Sequence, residues 1–559
     1  MFPVASRRAL AAALCLAAPA TAAPLSLGTN THFGQGWPTR AWDAVALTTA
    51  ATIREGARWP LIETTPGSYT FTDKTVGHLD RLCAAGRKVI LVTKLQNPIY
   101  DDGNVVASSG ARDAFGNYLA AMASRYRNCL VAIEIGNEVN AGKIAALDPH
   151  RFYVNILKAI YPKIKAAAPA VQVLGASSNT VATGYIRDLA KVGLMDWVDG
   201  IAIHPYRRDP VNVDWELARL NNAMVAAGKK KPIWITEFSK FFADAGEASD
   251  FLAKMAVMMN ASGIEQAQWY VLMDFSSVGT MGQYERTGGT TAAGKAFDYF
   301  QTQVLPRGTA TRVASADPTL FHYRLGADRQ ILWTTNPRTI AVTGATALRN
   351  TKGEAIALPA RLGNEPIVVE GNATVTLGEG DTVADSLVSY GRAPWSYFGQ
   401  RLNNPTRTLE VIDWKWTSFI SYPFMRPSGI NQLAWVTGGG IKAPITLTMR
   451  YTAPTAGNFV AVACVGYKSN TAGIAFEMKR GATTLVTRTI GAESLRLTAP
   501  VTLAAGGTVD FITRPAARGE VHNYWYRYRL VKAGTPLPNC PLPGSSTDDP
   551  DWHADDTGV

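Results

Sequence analysis

The chain has 559 residues, 47% of them hydrophobic and 18% charged, and a formal net charge of +11. That composition belongs to packed globular domains and excludes a mainly disordered chain; the length allows about two to four domains. The basic residues are scattered, no nucleic-acid motif accompanies them, and no apolar run of roughly 18 residues interrupts the body of the chain. A nucleic-acid partner and integral membrane association are therefore not expected, while an anionic substrate is compatible with the charge.

Arg7 and Arg8 precede the apolar stretch Ala9–Ala18, and Ala20-Thr21-Ala22 supplies a small-x-small cleavage pattern. Residues 1–23 thus read as a secretory signal peptide, with a flexible arm as the alternative, and predict an exported protein, periplasmic or secreted. Its removal takes away Cys15 and leaves Cys83, Cys129, Cys464 and Cys540. An even number of cysteines in an exported chain permits disulfides. The grouping, two in each half, suggests Cys83–Cys129 and Cys464–Cys540; four unpaired core thiols are the alternative. The spacings match no zinc site.

From residue 24 to 305, strand-like apolar runs alternate with helical patterns. The runs are Leu25–Phe33, Thr52–Trp59, Lys88–Leu95, Ala132–Glu138, Gln172–Ser178, Gly200–Tyr206, Pro232–Phe238 and Gln266–Asp274. Between them, Asp113–Tyr126 places Phe115, Leu119, Met122 and Tyr126 on one helical face, and His150–Ala168 and Ala248–Met259 read as further helices. Eight such alternations predict a (β/α)8 barrel of the TIM type. An open doubly wound sheet also alternates, but Thr31-His32-Phe33-Gly34 stands where its Gly-rich phosphate turn belongs.

Beyond Leu305 the helical periodicity stops. Leu320–Tyr323, Ile331–Thr335, Ile367–Val369 and Val375–Leu377 are short strands of a small β-sandwich module over 306–384. A second all-β module spans 385–543, with strands at Phe459–Tyr467, Val509–Thr513 and Tyr524–Leu530 and a clean alternation of Ile445, Leu447 and Met449 with polar residues. Trp395, Trp414, Trp416, Trp435 and Trp525, with Tyr524, Tyr526 and Tyr528, concentrate there. These rings are expected to fill the sandwich core; an exposed sugar-binding platform is the alternative. The Ser- and Asp-rich tail 544–559 reads as disordered, with calcium binding as a lesser alternative.

In a parallel barrel the working residues collect at strand C-terminal ends, where the βα loops open. The run ends supply His32, Arg58, Lys94 with Gln96 and Asn97, Asn137-Glu138, Ser178-Asn179, His204 with Tyr206, Glu237, and Trp269. Glu138 on the fourth strand and Glu237 on the seventh are the informative pair. Strands four and seven face each other across the mouth, and glycoside hydrolysis needs two carboxylates flanking one bond. The plain alternative for each is a solvated or ion-paired loop residue.

Ile133-Glu134-Ile135-Gly136-Asn137-Glu138-Val139-Asn140 resembles the W-E-I-W-N-E-P-N motif of clan A retaining glycosidases, and Ile235-Thr236-Glu237-Phe238 resembles their nucleophile strand. Ala57-Arg58-Trp59, Ile62-Glu63, Pro66–Phe71, Asn97–Gly103 and Ile203–Tyr206 carry the likeness further, toward glycoside hydrolase family 39 and the family-39-like enzymes found with bacterial exopolysaccharide systems. The likeness covers residues 25 to about 300; the later β modules match only loosely.

Carried over residue by residue, the resemblance makes Glu138 the acid/base and Glu237 the nucleophile. It has Asn137 binding the sugar 2-hydroxyl, Arg58, His204 and Tyr206 surrounding the nucleophile, and Trp269 flooring the −1 subsite, with His32 and Asn97 also facing substrate. A cation at Arg58 would favour an ionised Glu237, and burial with nearby negative charge would raise the pKa of Glu138. Trp269 and His204 have the alternative of plain core positions. Two residues depart from the motif, Gly136 at the usual Trp and Val139 at the usual Pro, and the lost indole is expected to open or reshape the cleft floor. The function implied is a retaining hydrolase that cleaves a polysaccharide, within an exopolysaccharide of the producing cell, without metal or organic cofactor. The rivals are an exo-acting β-xylosidase-like enzyme and a non-catalytic carbohydrate-binding matrix protein. The sequence sets no oligomeric state.

Overall fold

Eight parallel strands close on themselves in the computed structural model: β1 (Ser26–Asn30), β2 (Thr52–Gly56), β3 (Lys88–Thr93), β4 (Leu130–Ile135), β5 (Gln172–Asn179), β6 (Gly200–His204), β7 (Ile233–Phe238) and β8 (Gln266–Trp269). β1 pairs with β2 through Thr29↔Ile53 and with β8 through Leu27↔Ala267, so the ring has no free edge. The structure describes residues 23–540 apart from 142–143, 145, 208, 241, 243, 245, 275–280, 402–406, 409–429, 433–444, 470–472 and 517–522. The expected signal peptide, the acidic tail and Trp414, Trp416 and Trp435 lie outside the described residues. Among the described residues no helix is long and apolar enough to cross a membrane.

The helices are α1 (Ala41–Leu47), α2 (Trp59–Ile62), α3 (Asp73–Ala84), α4 (Ser109–Arg125), α5 (Pro149–Ala167), α6 (Thr183–Lys191), α7 (Val213–Ala226), α8 (Glu247–Ala261) and α9 (Ala292–Tyr299). Their starts are chemically marked. Ser108 accepts from the Ala111 amide at the head of α4, and Asp148 accepts from Arg151 ahead of Pro149 in α5. The predicted apolar face of α4 is buried through Phe115, Leu119 and Met122, and α5 buries Tyr153, Ile156, Leu157, Ile160 and Ile164 against it and the sheet. Inside the ring, Ile90, Ala132, Leu174 and Ala202 form an apolar layer below the mouth. Gly28 has no room for a side chain, because a Cβ there would collide with Gln268 and Thr52.

Antiparallel sheets follow the barrel. Residues 311–377 form a five-stranded and a three-stranded sheet, and residues 382–532 a five-stranded and a six-stranded one. The strand Thr382–Asp385 spans the expected boundary between residues 384 and 385 and pairs with Asn523–Lys532 of the later sheet. The later module also holds strands the sequence reading passed over, among them Trp395–Arg401 and Ser494–Leu503. In Ser494–Leu503 the inward Leu495, Leu497, Ala499, Val501 and Leu503 alternate with exposed residues, so the period of two was present in the sequence there, with Pro500 standing against a strand. Trp395, Tyr526 and Tyr528 are buried in the second module's core, as expected.

Both expected disulfides form. Cys83 on α3 joins Cys129 at the foot of β4 across 46 residues, and Cys464 joins Cys540 across 76. In the chain-entropy account, loops of that length each stabilise the fold by about 4 kcal/mol. Thiol titration of the denatured, unreduced protein is expected to find no free sulfhydryl at these four positions. Reduction should lower the unfolding temperature; four titratable thiols there would contradict the pairing.

Candidate active site

The mouth of the barrel is built around a buried arginine. Arg54, in the interior of β2, donates from Nε to Glu134 Oε2 at 2.7 Å, from Nη1 to Asn30 Oδ1 at 2.9 Å and Glu237 Oε1 at 2.5 Å, and from Nη2 to Asn137 Oδ1 at 2.9 Å. Burial works against its charge, but Glu134 and Glu237 outweigh it and hold the guanidinium above its ordinary pKa. This role was expected of Arg58. The strand stops at Gly56, and Arg58 stands exposed at the head of α2, outside the ring. The correction follows from reading the run through to Trp59: the inward cation lies one helical-length step earlier, on the strand itself.

Glu138 and Glu237 converge. One carboxylate oxygen of each and a ring nitrogen of His204 all lie within 4.8 Å of one another. Glu237 Oε1 receives Arg54 and Oε2 receives the Tyr206 hydroxyl at 2.7 Å. His204, at the end of β6, sets Nδ1 3.1 Å from Glu138 Oε1 and 3.6 Å from Glu237 Oε2, and Nε2 3.4 Å from Glu134 Oε1. Burial lowers the His204 pKa, but the surrounding carboxylates, Glu237 first, push it up to about 9. Burial and Glu237 together push the Tyr206 phenol well above its usual range, so it stays a donor. Three such ligand-type groups could in principle hold a cation. However, the Arg54 charge sits against Glu237, and both Glu237 oxygens accept hydrogen bonds, which suits a proton-handling carboxylate pair better.

The backbone that presents Glu138 is clamped from several sides. Glu138 itself has φ 48°, in the left-handed region that L residues seldom adopt, and follows Gly136 at φ 82°. The Val139 amide donates to Ser177 O, Asn140 exchanges hydrogen bonds with Asn179 at the end of β5, and the Tyr153 hydroxyl of α5 donates to Ile135 O at 2.6 Å. The two departures from the motif compensate each other. A Cβ on residue 136 would meet Val139 Cγ1 at 2.5 Å and Leu95 Cδ1 at 3.4 Å, so Val139 and Leu95 fill the space and the floor is not opened there.

Two more expectations are corrected. Trp269 is fully buried among Phe238, Phe242 and Phe251 of α8, on the helix side of the sheet, and cannot floor a subsite. The next residue takes the mouth side: Tyr270 lies edge-on to His32 at 5.4 Å and to Tyr206 at 6.2 Å, with the half-buried Trp37 5.5 Å from His32. Asn97 is drawn into bracing its loop, donating to Glu63 O and accepting from the Ile99 amide. His32 does reach the mouth, and burial lowers its pKa to about 4, which keeps the ring neutral. Arg54, Glu134, Tyr270 and Trp37 were missed. The inward parity of Arg54 and Glu134 on their strands was the one available signal, and nothing local distinguished Tyr270 from Trp269.

Two measurements probe this arrangement. Arg54→Met should cost about 3–5 kcal/mol in urea unfolding, because it leaves buried carboxylates uncompensated, whereas Arg58→Ala should stay within about 0.5 kcal/mol. Equal effects would contradict the reassignment. His204 has a folded pKa above the ordinary 6.5, so its stabilisation is complete below pH 6.5 and is lost as pH rises through about 9. Between those limits the protein should lose on the order of 3 kcal/mol, and His204→Gln should remove that slope.

Residues 115–297 match the family profile described as glycosyl hydrolase catalytic core. No curated protein matches the chain. Among solved structures, a family 39 glycoside hydrolase from Bacteroides cellulosilyticus superposes with a TM-score of 0.53 at 17% identity, over 62% of this chain and 81% of that one. A family 39 β-xylosidase from Caulobacter crescentus gives 0.43 at 15% identity, over 63% and 98%. The first of these shares the fold. With the profile match spanning β4 to β8 of a closed barrel that gathers two carboxylates at its mouth, the protein is a glycosidase.

Proposed function

We propose that the protein is a retaining glycoside hydrolase in which Glu237 is the nucleophile and Glu138 the acid/base, cleaving glycosidic bonds within an exopolysaccharide. The observation that carries this reading is the convergence of the two carboxylates, with one oxygen of each inside a 4.8 Å cluster. Retaining enzymes hold their carboxyl groups about 5–5.5 Å apart, whereas inverting ones leave about 6.5–9.5 Å for a water. In the first step Glu237 attacks the anomeric carbon, the glycosidic C–O bond breaks, and the Glu138 proton passes to the leaving oxygen. In the second step Glu138 takes a proton from water, the water oxygen attacks the same carbon, and the ester bond to Glu237 breaks.

The charges support these roles. Glu134, Glu138 and Glu237 face two cations, Arg54 and His204, so one proton on the carboxylates neutralises the cluster. Arg54 and Tyr206 both bind Glu237, which favours placing that proton on Glu138. Asn137, held by Arg54, would receive the sugar 2-hydroxyl, and Tyr270 and Trp37 would offer the apolar ring face a surface in place of Trp269. The two disulfides support an exported protein, with the sugar polymer met outside the cytoplasm.

Glu237→Gln should abolish turnover. Glu138→Ala should lose at least about 100-fold and recover with azide on a substrate carrying a good leaving group, because azide attacks the glycosyl-enzyme without base assistance. The product assay is the release of reducing ends from a panel of defined polysaccharides. Inversion at the anomeric centre would overturn the mechanism. Release of monosaccharide alone would replace internal cleavage with exo action, and binding without new ends would leave a carbohydrate-binding barrel.

A further inference from the structure

Glu134 has no part in the chemistry above, yet two of the site's groups depend on it. It is fully buried on β4, four residues before Glu138. Its Oε2 accepts Arg54 Nε at 2.7 Å; its Oε1 lies 3.4 Å from His204 Nε2 and accepts the Thr236 hydroxyl at 3.1 Å. Each cation is thereby pinned by one edge and turned so that its other nitrogens face the mouth. Arg54 presents Nη1 to Glu237 and Nη2 to Asn137, and His204 presents Nδ1 to Glu138.

A carboxylate at each ring nitrogen of His204 calls for two N–H groups. A neutral imidazole has only one and would aim a lone pair at an anion. We propose that Glu134 is a positioning residue that keeps His204 doubly protonated, so that Nδ1–H occupies Glu138 Oε1 and the transferable proton sits on Glu138 Oε2. The inference rests on the role given to Glu138. Burial opposes a charged His204, but the groups facing it favour one: Glu237 from β7, Glu134 from β4 and Glu138 from the segment just past β4. Arg54 shares Glu134 with it, and the Tyr206 ring stands edge-on at 6.3 Å. A carboxylate that fixes the orientation and charge of a histidine aimed at the reacting group follows the logic of hydrolase triads, here with a carboxylic acid as the group served.

The test follows the imidazole nitrogens of His204 by 15N NMR on the full chain, with the signal assigned by its loss in His204→Gln. In the wild type both nitrogens should be protonated at pH 8; a neutral ring there overturns the proposal without any variant having to fold. In Glu134→Gln the His204 midpoint should fall by at least one pH unit, and the alkaline limb of kcat/KM should fall with it, while Glu134→Asp should recover part of the shift. An unmoved midpoint and limb in Glu134→Gln would also overturn it, since a residue that only packs would change activity at all pH values alike. If His204 behaves as expected in a protein that cleaves no glycan, the positioning role stands and the glycosidase mechanism falls.

Discussion

The structure of the mouth depends on holding one guanidinium inside the barrel. A lone buried cation costs several kcal/mol to desolvate, so Arg54 is tolerable only with its donors engaged, and Glu134, Glu237, Asn30 and Asn137 engage them. The four partners come from β1, β4, β7 and the segment just past β4, so the satisfied state exists only when the ring is closed. Fold and site are therefore specified by the same contacts. A slipped strand would leave charge unpaired, and the penalty for that favours a single register.

Positive φ at Glu138 is the local cost of aiming its carboxylate. Such a conformation persists when its surroundings over-determine it, and here the clamps come from β3, β5 and α5. The Thr93 hydroxyl donates to Glu134 O and accepts from the Gly136 amide, joining the backbone of β3 to the stretch between Glu134 and Glu138. The compensation between Gly136 and Val139 belongs to the same design. With no Cβ at 136 the chain takes the turn, and the Val139 methyl moves into the vacated volume.

Much of the fold was legible because barrels repeat one simple pattern. Each of the eight apolar runs overlaps a strand, and the starts of β2, β3, β5, β6 and β8 fall where the runs begin. Where strands end was less legible, and the errors at the site come from there. Thr52–Trp59 reads as one run because Ala57 and Trp59 are buried too, yet they pack outside the ring after the strand has stopped. Trp269 and Tyr270 are neighbours of similar character, and only the turn of the chain after β8 decides which faces the mouth. Glu138, Glu237, His204, Tyr206 and Asn137, which the structure brings together, were marked in the sequence by chemistry as well as hydropathy. Glu134 was visible in the motif but had no legible role, since its partners lie 70 and 80 residues away. The disulfides were legible from cysteine arithmetic alone.

The β modules are joined to this site by more than the chain. Phe321, Tyr323, Leu325, Ile331 and Trp333 of the first module belong to the same apolar core as the barrel, so cutting at 305 would expose the barrel surface that these side chains cover. The second module reaches the mouth by a polar route. Asn212, at φ 73° between β6 and α7, donates to Leu387 O and accepts from Arg392, while Trp215 on α7 packs edge-on to Tyr390. The loop held in this way is the one that leaves His204 and carries Tyr206, the donor to Glu237. A buried phenol aligned within hydrogen-bonding distance of a carboxylate needs its backbone fixed at both ends. β6 fixes one end, and the contact between Asn212 and the second module fixes the other. The modules thus bear on the carboxylate pair through the geometry of one loop, whether or not they also touch sugar.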